Sequence, residues 1–170
     1  MVLDGFDRKI IFELQRSCRL TNVELAGRVG LSPSPCLARV RALEDAGILG
    51  SYVALLDSEK LGGTVSVFIH VTLERQSESV LEVFETTVSA LPEVMECYLM
   101  SGDADYLLRV VVRDTVALKD FILDKLTKTP GVANIRSSFA LKQVKYNTAL
   151  PLDQLWPEPG RESRQSGFKR

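Results

Sequence analysis

The apolar positions of residues 1–50 recur at three- and four-residue intervals, the spacing that lines one face of a helix. Ile10, Ile11 and Leu14 predict a first helix over 7–15, with Asp7 favourable at its positive N-terminal end. Thr21-Asn22-Val23-Glu24 reads as a capping box, in which hydroxyl and carboxylate satisfy N–H groups that the first turn leaves unpaired. The helix it opens runs through Leu25, Ala26 and Val29 and stops at Gly30. A third helix starts in Ser32-Pro33-Ser34-Pro35 and reaches about Ala46, with Leu37, Val40 and Leu43 at helical spacing and Gly47 ending it. Two short helices joined by a few residues containing Gly form a helix-turn-helix pattern, although an ordinary helical hairpin reads the same way. Residues 51–57 read as a strand, and 57–63 as a connection ending in Gly62-Gly63.

The rest of the chain repeats itself at an offset of 38 residues: Val80 matches Leu118, Val83 Phe121, Phe84 Ile122, Val88 Leu126, Pro92 Pro130 and Val94 Val132. Each copy predicts an amphipathic helix stopped by Pro, with strands before it at 65–73 and 106–112 and after it at 94–100 and 132–145. Two βαβ units in tandem make a ferredoxin-like βαββαβ sandwich. The fold class is therefore α+β: an N-terminal helix-turn-helix, winged-helix-like domain over 1–50, a strand and linker over 51–64, a ferredoxin-like domain over 65–146, and a tail over 147–170 that is expected to be mobile beyond Trp156. In the strand at 65–73, alternate positions Val65, Val67, Ile69, Val71 and Leu73 face one way, and Ser66, Phe68, His70 and Thr72 the other. A sheet with helices on one side leaves the Phe68 face open, which suits an interface between copies.

Composition narrows the chemistry. The chain has a net charge of −1, with 45% hydrophobic and 25% charged residues, as an ordinary soluble protein has. Seven Lys and Arg stand against six acids in residues 1–50, ten against fourteen in 51–157, and four against two in 158–170. One copy is therefore expected to bind DNA weakly, and several copies together more firmly. No apolar run spans a bilayer and no signal-peptide core follows Met1, so a cytoplasmic protein without a membrane partner is expected. Cys18, Cys36 and Cys97 are scattered, and His70 is the one histidine, which argues against a metal site, a cofactor or His-based catalysis. On the outward face of the third helix stand Ser34, Ala38, Arg39 and Ala42, flanked by Arg41: small groups for close approach, with guanidinium donors for phosphates or guanine edges. At 101–106, Gly102 permits a sharp turn while Asp103 and Asp105 offer acceptors for an ammonium group, though Gly-Asp equally makes a plain hairpin.

The segment NVELAGRVGLSPSPCLARVRALEDAGIL at 22–49 resembles the DNA-binding signature of the Lrp/AsnC, or feast/famine, regulators, especially the leucine-responsive ones. SGDADYLL at 101–108 resembles their sensor-domain signature, and SSFALKQVKYNTALPL at 137–152 is similar to the cysteine-responsive branch. Ala104 departs from the pattern, since many relatives carry an aromatic side chain there. The resemblance covers residues 3–152. It implies a regulator of transcription rather than an enzyme, one that binds double-stranded DNA and a leucine-like or cysteine-like amino-acid effector. It also implies dimers joined through their sheets, assembling towards octamers. The residues expected at DNA are Asn22, Ser32, Ser34, Pro35, Arg39 and Arg41. Those expected at the effector, held between sensor domains, are Leu99, Ser101, Gly102, Asp103, Asp105, Tyr106, Ser138 and Phe139. An effector-independent architectural DNA-binding protein is the competing reading, ahead of a ferredoxin-like enzyme, for which no nucleophile–base pair is present.

Overall fold

Helix α1 (Gly5–Leu14) starts ahead of its apolar stripe because Asp4 caps it. The Asp4 carboxylate accepts the amides of Phe6 and Asp7 at 2.8 and 3.0 Å, and the Asp7 carboxylate accepts the Asp4 amide in return. A computed structural model of the chain describes residues 1–58 and 60–156; the expected mobile tail beyond Trp156 lies outside them. Helix α2 (Asn22–Val29) carries the capping box read from the sequence, Thr21 and Glu24 each accepting the other's amide, and ends at Gly30 with φ 79°. Helix α3 (Pro33–Asp45) follows. Its buried stripe is Cys36 and Leu43, both fully covered, with Val40 half-buried; Leu37, expected inside, is 39% exposed. The stripe thus starts one residue earlier than expected.

Among the described residues, 1–55 and 145–156 form one compact unit, and 56–144 a second. The helical unit's core joins Ile10, Ile11, Leu14, Leu25, Ala26, Val29, Cys36 and Leu43 with Leu152, which sits in a single helical turn at Leu152–Leu155. Leu152 is 8% exposed, so the segment read as a tail contributes to the core of the helical unit. The Gln15 side chain fastens it, its amide nitrogen donating to the Leu150 carbonyl at 3.2 Å and its oxygen accepting the Leu150 amide at 2.9 Å. Trp156 packs against the same core, beneath the guanidinium of Arg8.

The second unit is a four-stranded antiparallel sheet in the order β2-β3-β1-β4, built from β1 (Val65–Leu73), β2 (Val94–Leu99), β3 (Tyr106–Val112) and β4 (Val132–Phe139). This is the ferredoxin-like arrangement. Helix α4 (Glu78–Ser89) and helix α5 (Thr115–Asp120) contribute to one core with Val67, Ile69, Val71 and Leu73 and with Tyr106, Leu108, Val110 and Val112. Ser66, Phe68, His70 and Thr72 lie half-buried on the other face, as the alternation predicts. There Phe68 stands between Arg109 and Ser138, and His70 between Leu107 and Arg136.

Three expectations need correction. After α5 the chain makes a π turn (Phe121–Lys125) and a 3₁₀ turn (Leu126–Lys128), so Phe121 and Leu126 are buried five residues apart where Phe84 and Val88 are four apart. A π turn holds one more residue than an α turn. Phe121 therefore corresponds to Phe84, and its expected partner Val83 is 47% exposed. Residues 51–57 form no strand: among the described residues no strand pairs with 51–56, and Tyr52, Val53, Leu55 and Leu56 are exposed. The strand expected over 132–145 stops at Phe139. Its neighbour β1 begins at Val65, and the Ala140 amide donating to the Ser66 carbonyl is the last rung.

Candidate functional site

The connection between α2 and α3 is only Gly30, Leu31 and Ser32, and a side chain tightens it. Asn22, the first residue of α2, donates its amide to the Pro33 carbonyl at 2.8 Å. Ser32 is the N-cap of α3 but its hydroxyl makes no capping bond; Ser32, Ser34 and Pro35 are all exposed around that helix start. Along α3 an exposed stripe runs through Ser34, Ala38, Arg41 and Ala42. Among the described residues no ion pair is recorded for Arg41. Arg39 differs: one guanidinium nitrogen donates to Asp4 and to Asp7, both at 2.8 Å, and the group lies 5.5 Å from the Phe6 ring centre. The Asp7 amide it accepts, with the Arg39 side chain adding to the effect, holds the Asp4 carboxyl below the usual carboxylate range. The Asp-x-x-Asp spacing at 4–7 is a legible capping signal, but nothing in it announces a partner on α3.

On the sensor unit, β2 and β3 are joined by a tight loop closed by the Met100 amide donating to the Asp105 carbonyl at 2.8 Å. Ser101, Gly102 and Asp103 are exposed, and Gly102 has φ 149°, a conformation that side chains other than glycine's resist. Ala104 and Asp105 are both 7% exposed. Asp105 is committed inside the chain: its carboxylate accepts the Leu73 amide at 2.7 Å and the Gln76 side-chain amide at 2.5 Å, and its own amide donates to the Val71 carbonyl. Tyr106 is buried, with its ring 4.5 Å from that of Phe84 and its hydroxyl donating to Glu85 at 2.7 Å. Burial, then the Glu85 carboxylate, push its phenol far up from the ordinary value. Gln76 and Glu85 carried no signal in the sequence.

The loop therefore gathers Leu99, Ser101, Gly102, Asp103, Asp105 and Tyr106 at one end of the sheet. Ser138 and Phe139 are elsewhere. Ser138 pairs with Phe68, while Asp105 binds at Leu73, so the two groups are separated along β1 by about 16 Å at roughly 3.3 Å per residue. One chain does not bring them together. Among the described residues no cluster of three or more His, Cys, Asp or Glu could hold a metal, and no helix is long and apolar enough to cross a membrane.

Two family models match the chain. Residues 3–49 match a winged helix-turn-helix DNA-binding family, and residues 66–150 match the Lrp/AsnC ligand binding domain. The chain is 48% identical over 150 residues to the Bkd operon transcriptional regulator of Pseudomonas aeruginosa, an alignment covering 88% of this chain and 98% of that one. It is 45% identical over 148 residues to the leucine-responsive regulatory protein of Escherichia coli K12, covering 87% and 90%. A crystallised transcriptional regulator of Neisseria meningitidis, in complex with L-Met, superposes with a TM-score of 0.85 at 45% identity, over 91% of this chain and 100% of that one. On both domains and on these relatives, the chain belongs to the Lrp/AsnC family of transcriptional regulators.

Proposed function

We propose that the chain regulates transcription in the cytoplasm by reading double-stranded DNA with α3, and that an amino-acid effector bound near the 101–106 loop alters that reading. The exposed stripe Ser34–Ala38–Arg41–Ala42, on a helix anchored by Cys36 and Leu43, carries the DNA half of the proposal. Small side chains let a helix approach base edges, and Arg41 supplies a cation that makes no ion pair among the described residues. Asn22 sets the angle of the turn, and Ser32, Ser34 and Pro35 stand where α3 starts.

The effector half rests on the sensor-domain family and on the relatives, one named for leucine and one bound to L-Met. Asp103 is an exposed acceptor for an ammonium group, the exposed turn at Gly102 suits a carboxylate, and Leu99 offers apolar surface. Ser138 and Phe139 join such a pocket only from a second copy, which ties effector binding to assembly. The open sheet face around Phe68 serves the dimer, and larger rings follow from dimers.

Fluorescence anisotropy on duplexes enriched from a random-sequence pool, across a salt series and with L-methionine or L-leucine, tests this reading. The expected result is salt-dependent binding that an amino acid shifts by about 5–150-fold, the usual range of allosteric coupling. Binding indifferent to amino acids would leave an architectural protein, and no binding would remove the DNA role. Light scattering should show at least a dimer that Phe68→Glu weakens.

A further inference from the structure

We propose that Arg39 is a positioning residue that locks α3 to the capping box of α1, and that it does not itself touch DNA. The proposal rests on α3 being the DNA-reading helix. Arg39 and Arg41 are near in sequence but point apart. At about 100° per residue they are separated by roughly 200° around the helix axis. Arg39 lies on the flank beside the buried Cys36 and Leu43, and Arg41 on the exposed side.

The lock uses every oxygen of two carboxylates. One oxygen of Asp4 takes the amides of Phe6 and Asp7, and the other takes Arg39. One oxygen of Asp7 takes the Asp4 amide, and the other takes Arg39. The Asp7 side chain is 4% exposed, so withdrawing Arg39 would leave a carboxylate without its counter-charge in a poorly solvated position. Arg39 is therefore held in place by what its departure would strand. The cluster of Asp4, Asp7 and Arg39 sums to −1, which repels a polyanion at the point where a phosphate contact would be needed. The Phe6 ring covers the guanidinium further. Hydrophobic contacts at Cys36 and Leu43 permit α3 to roll slightly, whereas two ion pairs at one nitrogen fix its rotation, and with it the direction of the exposed stripe.

The test is a salt series of DNA affinity on the full chain for wild type, Arg39→Ala, Asp4→Asn, Asp7→Asn, Arg39→Lys and Arg41→Ala. Under the lock, Arg39→Ala and Asp7→Asn each weaken sequence-specific binding on the order of tenfold with an unchanged salt slope, and together they cost no more than either alone. Arg39→Lys recovers part of the loss, since an ammonium group still reaches one carboxylate. Arg41→Ala instead lowers the slope by about one phosphate. Asp4→Asn keeps a good N-cap and removes one charge, so it answers even if Arg39→Ala does not fold. The lock predicts weaker DNA binding for it, whereas a DNA-contacting Arg39, released from a carboxylate, would bind tighter. Tighter binding by Asp4→Asn or Asp7→Asn, or a slope reduced in Arg39→Ala, overturns the proposal. Wild-type protein that binds no duplex overturns the DNA reading itself, and this role with it.

Discussion

Asp105→Ala tests whether the 101–106 loop is built around that carboxylate. The substitution leaves the Leu73 amide without an acceptor at a residue only 6% exposed, and it frees the Gln76 side chain. A hydrogen bond to a charged group contributes about 1.5–3 kcal/mol, and a buried donor left unpaired forfeits most of it. Gln76 is exposed and can turn to water, so its share is small. The expected loss is thus roughly 2–4 kcal/mol of sensor-unit stability. Asp105→Asn should cost less, because Asn retains one acceptor for Leu73 and Gln76 can rotate to accept from its amide. The chain's one tryptophan, Trp156, belongs to the helical unit. Urea unfolding of the sensor unit should therefore be followed by hydrogen exchange, with the Leu73 amide as the local probe. A protected Leu73 amide and an unchanged midpoint in Asp105→Ala would refute the reasoning. The sequence reading expects Asp105 at the effector; its hydrogen bonds to Leu73 and Gln76 make Asp103→Ala the cleaner probe of ammonium binding.

Leu152→Ala should destabilise the helical unit by about 2–3 kcal/mol, the lower part of the range for buried leucines, visible in denaturation followed by Trp156 fluorescence. A shift under half a kcal/mol would mean that the C-terminal segment is not part of that core. Gly131→Ala should cost about 1–3 kcal/mol, since a Cβ there would lie 2.6 Å from Val80 Cγ1 at a φ of 84°; Val80→Ala should recover the steric part but not the backbone part. Acid should weaken the helix starts. The Thr21 amide and hydroxyl lower the Glu24 carboxyl, and the Ala117 amide lowers that of Asp114. A carboxyl held lower in the folded state stabilises it above the ordinary carboxylate range, and that contribution disappears as pH falls through the lowered values. Urea midpoints should be flat above that range and decline towards pH 3, less steeply in Glu24→Gln; a midpoint that rises with acid would contradict this.

Patterns that depend on near neighbours were legible in the residues. Spacings of three and four placed Ile10, Leu14, Leu25 and Val29 inside, and alternation separated Val67 from Phe68. Contacts that depend on how elements dock were not. Arg39 finds its acids 32 and 35 residues upstream, and Asp105 meets Gln76 29 residues away, with no local rule linking them. The π turn was hidden for a related reason. Matching apolar residues at a fixed offset assumes equal turns, and Phe121 could be matched to the wrong side of α4. The apolar residues of 51–57 and 140–145 suited a strand but could not show the neighbour that a strand requires. The candidate site was legible as a loop at 101–106, while the inward commitment of Asp105 was not.

The helical unit is discontinuous in sequence, its core completed by Leu152 and its first helix bound through Gln15 to Leu150. Anyone grafting a new DNA specificity onto this scaffold must therefore cut twice. A chimera spliced at residue 50 would seat a foreign α1 against this chain's Leu150–Trp156, mismatching both the leucine socket and the amide that Gln15 answers. Transplanting 145–156 together with 1–55 keeps the unit whole, so the portable module is a pair of segments rather than an N-terminal domain.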